Sequence, residues 1–246
     1  SPSRTNMIES ARLPPIYRFV PLGPDDDPMA RAKERALEGA DPATIFCIDS
    51  ATLLDCAVIL HPHMDFAKSK LVIYAGMLGL GDAIGSVVPA GIDLTYRWPN
   101  RMEANLGLVA HVRLSAPPDL AENSVPPWLT LRVTAAVSGA VPDGRDGGNY
   151  QTTLLDEGAA DLTTIQLLES FSRHFLSWTS RWQDDGFSPL RAMWVRHSVE
   201  EGEEVEISLG DLDFRGAFEA IDDDGALLLR HGDVLDRIPL DAFLDN

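Results

Sequence analysis

Between Thr95 and Leu114 the chain alternates apolar and polar residues, breaks at Pro99, and alternates again. Alternation of period two sends successive side chains to opposite faces of a strand, and a proline ends regular pairing because it has no backbone donor. Residues 95–97 therefore predict an entering strand, Trp98-Pro99-Asn100 a break, and residues 109–114 the returning strand. This is a hairpin with polar groups at one edge, among them Arg97 and Asn100. An arginine there offers a planar fork that suits a carboxylate or phosphate, and His111 on the returning strand brings an imidazole, which can donate or accept a proton.

The pattern resembles the biotin protein ligase family, part of the wider biotin and lipoate ligase group, whose hairpin reads Lys-Trp-Pro-Asn-Asp, an Asn-Gly turn, then Val-Ala-Gly-Ile. Trp98-Pro99-Asn100 and Val109-Ala110 match it unchanged. Arg97 replaces the lysine, Arg101 the aspartate, and His111 the glycine that lines the acyl pocket. In the family the lysine stabilises charge on the acyl-adenylate, so the resemblance implies a catalytic role for Arg97. It implies ligand contacts for Trp98, Asn100, Ala110 and His111.

A second departure is larger. The ligases carry a long Gly-Arg-Gly-Arg loop between two strands, followed by a strand ending in Leu-x-Pro. Here the strands at 43–48 and 56–62 are joined by residues 49–54 alone, without a glycine or an arginine. No segment there can fold over an acyl-adenylate and neutralise its phosphate. The resemblance thus implies two functions. One is ATP-dependent attachment of a biotin-like or lipoate-like acid to an acceptor lysine, with MgATP and biotin or lipoate as its requirements and a biotinyl or lipoyl carrier protein as partner. The other is a non-catalytic, ligase-derived module that binds a small carboxylate, another anion, or a carrier protein.

Composition narrows the partners. A formal net charge of -18 over 246 residues argues against nucleic acid, whose binders draw affinity from Lys and Arg neutralising phosphates. No apolar run reaches the roughly 18 residues of a membrane span, and no signal segment opens the chain, so a cytoplasmic protein is expected. Residues 1–6 are left out of the fold reading, with Met7 taken as the natural start, and the stretch before Tyr17 is too short for a DNA-binding unit. Cys47 and Cys56 read as buried, reduced core thiols. No metal site is expected, because Pro62 breaks the strand that would align His61 with His63.

The remaining chain fits an α+β fold. Tyr17–Val20 reads as a strand, Asp27 as a helix cap before Pro28, and Gly39 as that helix's stop. Residues 71–88 read as a helix whose Gly76, Gly79, Gly81 and Gly85 let it lie close against the sheet. Residues 141–151 read as a mobile loop, and Asp161 as the cap of a long amphipathic helix over 163–182. From Gly202 the texture changes to short strands and tight turns such as Asp223-Asp224-Gly225. The expected architecture is a mixed-sheet ligase-like core over residues 14–199 with flanking helices, and a small SH3-like β-barrel over 202–246 whose removal leaves the core folded.

Overall fold

The computed structural model describes residues 11–139, 150–209 and 211–245, so the expected loop at 141–151 falls almost wholly outside the described residues. A seven-stranded sheet runs in the order β1 (Arg18–Leu22), β2 (Thr44–Ile48), β3 (Leu53–Leu60), β7 (Leu129–Ala136), β6 (Gly107–Ser115), β5 (Arg101–Ala104), β4 (Leu94–Arg97). Only β1 and β2 are parallel; the other pairs are antiparallel. The final strands, β8 (Glu204–Leu209), β9 (Leu212–Ile221), β10 (Leu227–His231) and β11 (Val234–Ile238), form a four-stranded antiparallel sheet in the order β11, β10, β9, β8. This is an α+β fold, a mixed sheet with helices plus a small C-terminal β unit.

Local sequence sets the helix ends. The Asp27 carboxylate accepts from the Ala30 amide ahead of α1 (Pro28–Leu37), and Gly39 leaves the helix at φ +82°. The long helix α4 (Thr164–Asp185) is capped by Thr163 rather than Asp161, because Thr163 and Gln166 form a reciprocal capping box. Two shorter helices, α2 (Phe66–Ser69) and α5 (Ser188–Arg196), frame the central α3 (Val72–Gly85) in sequence.

Alternation sorts the sheet into two faces. Ile45, Cys47, Cys56, Val58, Leu131 and Val133 join α3, α4 and α5 in the main core, while Phe46, Ile48, Ala57 and Ile59 pack with Ala32 and Ala36 of α1. The glycines of α3 serve three neighbours rather than the sheet alone. A Cβ at Gly76 would meet Leu131 and Val112 of the sheet, one at Gly79 the backbone of Phe175 in α4, and one at Gly81 the Tyr96 hydroxyl. At Gly85 a Cβ would meet nothing within 4 Å. Cys47 and Cys56 stand opposite one another on β2 and β3, buried and unbridged. A hydrogen bond with Cys47, together with burial, pushes the Cys56 thiol well above its ordinary pKa.

The small sheet does not keep a core to itself. Phe218, Ile221, Leu227, Leu229, Ile238 and Leu240 belong to the same apolar cluster as α3 and the large sheet. The Asp222–Gly225 turn reaches furthest in: the Tyr74 hydroxyl donates to the Gly225 carbonyl at 2.7 Å, and the Trp98 indole N–H donates to the Tyr74 oxygen at 2.9 Å and to Gly225 at 3.2 Å. Burial pushes the Tyr74 pKa far up, so this relay stays neutral.

Candidate ligand-binding site

The hairpin expected around Trp98-Pro99-Asn100 is a three-stranded meander. The strand returning from the turn is β5, with Arg97 opposite Arg101, and β6 follows a second turn at Asn105 and Leu106, both at positive φ. The Trp98-Pro99 peptide is cis. The Asn100 carbonyl accepts from the Val112 amide at 2.9 Å and so ties the first turn to β6.

Register then builds a polar row across five strands. Asp55 of β3 stands opposite Thr134 of β7, Thr134 opposite His111 of β6, His111 opposite Arg101 of β5, and Arg101 opposite Arg97 of β4. Directly opposed residues share a face. That face is turned away from α3, since Val112 and Leu131, which meet Gly76, sit at the alternate positions. The next row places Arg132 opposite Arg113. Arg97, Trp98, Asn100, Arg101, His111 and Arg113 line one cavity of about 650 Å³, closed on its far side by residues of β8 and by Phe243 and Asp245.

The expected site residues therefore divide. Arg97, Asn100 and His111 meet at the cavity. Ala110 does not line it; it is buried at an alternate position, between Met102 and Ala135. Trp98 lies at the wall, but its indole N–H is engaged by Tyr74 and Gly225, and its ring meets Phe243 edge-on at 5.0 Å, so it acts as a structural pin.

Carboxylates of the chain itself hold most of these cations. Arg97 donates to Glu103 at 2.9 Å and lies 3.6 Å from Glu203. Arg132 donates bidentately to Asp55 at 2.8 and 2.7 Å. Burial works against the Arg132 charge, yet its bonds to Asp55 outweigh that and raise its pKa above the ordinary arginine value. Arg113 forks onto Asp245 at 2.7 and 2.8 Å. Between His111 and Asp55, the Thr134 hydroxyl is buried with no hydrogen-bond partner among the described residues.

Sequence reasoning missed Asp55, Arg113, Arg132, Thr134, Glu103, Glu203 and Asp245. The alternation of β6 did hold one signal: Arg113 must share the face of His111. Glu103 depends on the local register of β4 on β5, Asp55, Arg132 and Thr134 on pairing between strands distant in sequence, and Glu203 and Asp245 on the packing of the C-terminal chain.

Residues 13–196 match the family described as the biotin/lipoate A/B protein ligase family, and residues 202–239 match the biotin protein ligase C terminal domain. A biotin acetyl-CoA-carboxylase ligase from Paracoccus denitrificans is 27% identical over 177 residues, spanning 70% of this chain and 72% of the relative. Among solved structures, a biotin protein ligase-like protein of unknown function from Silicibacter sp. TM1040 superposes with a TM-score of 0.85 at 26% identity, over 96% of this chain and 100% of that one. The biotin protein ligase of Aquifex aeolicus, solved in complex with biotin and ATP, gives a TM-score of 0.70 at 15% identity over 90% and 95% of the two chains, a likeness of fold.

Proposed function

This chain belongs to the biotin/lipoate A/B protein ligase family, and we propose that within it the chain binds a compact anionic acid without activating it by adenylation. The observation that carries this reading is the connection between β2 and β3. The two strands pair directly, Cys47 opposite Cys56, and residues 49–52 close the turn where the ligases place their arginine-bearing loop. Activation of an acid by ATP needs cations aimed at the charge that develops on the transferring phosphoryl group. Arg97, at the clamp position, instead faces Glu103 and Glu203, and the Glu204 and Glu206 carboxylates on the cavity wall, in a chain of net charge -18, weigh against a triphosphate.

The same cavity suits a short ligand. His111 takes the position of the acyl-pocket glycine, so an imidazole occupies the path of a long acyl chain. What remains is a polar floor that includes His111 and Arg101, able to hold a small carboxylate or phosphate. Retention of Trp98-Pro99-Asn100 and of the C-terminal sheet favours a second reading, an ancestral ligase still able to attach a biotin-like or lipoate-like acid to the lysine of a carrier protein with MgATP.

Calorimetric titration separates acid binding from acyl-chain binding. Acetate or phosphate is expected to bind the native protein and biotin is not, while His111→Gly gains biotin binding, with His111→Ala as the variant less disruptive to strand β6. Tight biotin binding by the native protein would contradict the reading.

A further inference from the structure

The chain that follows β11 turns through a single 3₁₀ turn, Leu240–Phe243, and then runs back over the large sheet. Its path is defined by contacts of different strength. Leu240 is buried in the main core, and Asp241 pairs with Lys70 at 2.7 Å, so the start of the segment is anchored. Beyond it, Phe243 packs on Trp98, the Asp245 amide donates to the Leu114 carbonyl at 2.9 Å, and the Ser115 hydroxyl donates to the Asp245 carbonyl. Asp245 thus adds one parallel bridge to β6 at Ser115. Its carboxylate fills the Arg113 fork, both oxygens used.

That contact is the geometry in which arginine receives a carboxylate or phosphate from a ligand. It lies on the polar face, one alternate position along β6 from His111, and both Phe243 and Asp245 line the cavity. The Arg113–Asp245 pair is also partly open to solvent, with side chains 46% and 28% exposed, so water competes for both partners. An anchored base and a solvent-screened tip are what a detachable segment requires.

We infer that residues 243–245 are a detachable strap whose Asp245 carboxylate occupies Arg113 as an internal substitute for the ligand's anion. The inference rests on the anion-binding reading above and adds its regulation. While the strap is docked, the bidentate face of Arg113 is taken. When an oxyanion binds Arg113, the strap leaves with Asp245, and its backbone bonds to the Leu114 carbonyl and the Ser115 hydroxyl open. Apparent affinity is then reduced by the fraction of molecules in which the strap is docked.

The test uses the whole chain with acetate and inorganic phosphate as separate probes, read by calorimetry and by amide exchange at Asp245. Asp245→Asn and Asp245→Ala are expected to bind at least one probe about tenfold more tightly than the native protein, as a strap docked in nine molecules of ten demands. In the native protein, that probe should accelerate exchange of the Asp245 amide. Native-like affinity in both variants, or probe binding that leaves the Asp245 amide as protected as before, overturns the strap while the anion site stands. If neither probe binds the native protein or either variant, the strap and the anion-binding reading fall together. If both variants fail to fold, the segment is a structural brace and the inference is overturned.

Discussion

At Gly81, helix α3 passes so close to strand β4 that an added Cβ would overlap the Tyr96 hydroxyl. Tyr96 has nowhere to retreat, since its ring is buried, tilted against Trp194 at 6.1 Å and stacked on His197 at 5.1 Å. Gly81→Ala is therefore expected to cost about 1–3 kcal/mol of overpacking, measured by urea unfolding, and Tyr96→Phe in the same chain should return part of the loss. Gly85→Ala, placed in open space at the end of the same helix, should be neutral or gain up to about 1 kcal/mol from helix propensity. Equal effects at the two glycines would contradict this packing. A sequence cannot distinguish these two positions, because helical spacing shows that glycines recur but not which neighbour each one admits. His111 differs in this respect. Its identity and its alternation with Val112 were enough to place it on one face of a strand, although the choice of face needed the register with Thr134 and Arg101.

At the scale of elements, what was legible depended on how local the cause is. Asp27, Pro28 and Gly39 act within a few residues of the helix they bound, and all three could be read directly. Asp161 misled because Thr163 and Gln166, two residues further on, make the stronger reciprocal cap. Strand β5 escaped notice because it begins directly after Trp98-Pro99-Asn100, while the returning strand was read further on, at 109–114. The change of texture at Gly202 was visible, yet it marks a change of sheet and not of core. Removing residues 202–246 would strip Phe218, Leu227, Leu229 and Leu240 from the shared cluster and leave Tyr74 and Trp98 without the Gly225 carbonyl. Ion pairs also cross the junction, Lys70 with Asp241 at 2.7 Å and Arg191 with Asp223 at 2.5 Å. We expect units 14–199 and 202–246 to melt in one calorimetric transition, and a chain ending at Val199 to lose cooperative unfolding. Two resolved transitions, or a soluble and cooperatively folded truncation, would show the small sheet to be independent.

The whole molecule keeps the fold of its ligase family and gathers cations on one face of the large sheet. Its net charge of -18 is not spread evenly: the polar row and its neighbours collect Arg97, Arg101, Arg113, Arg132 and His111 on one face of the large sheet. Three of those arginines are held by carboxylates from other strands or from the 243–245 segment. The resemblance to biotin protein ligases was legible from the sequence because Trp98-Pro99-Asn100 is compact and the missing arginine loop is a matter of spacing. The carboxylate partners were not, because Asp55 meets Arg132 only through the register of β3 on β7, and Glu203 and Asp245 reach their arginines only once the C-terminal chain lies against the large sheet. No helix of the described residues is long and apolar enough to cross a membrane. Whether the scaffold persists without the activating chemistry is read from isotope exchange between pyrophosphate and ATP in the presence of magnesium and of biotin, lipoate or octanoate. No exchange that depends on the added acid is expected; exchange that rises with the concentration of any of the three acids would show that the chain still activates an acid.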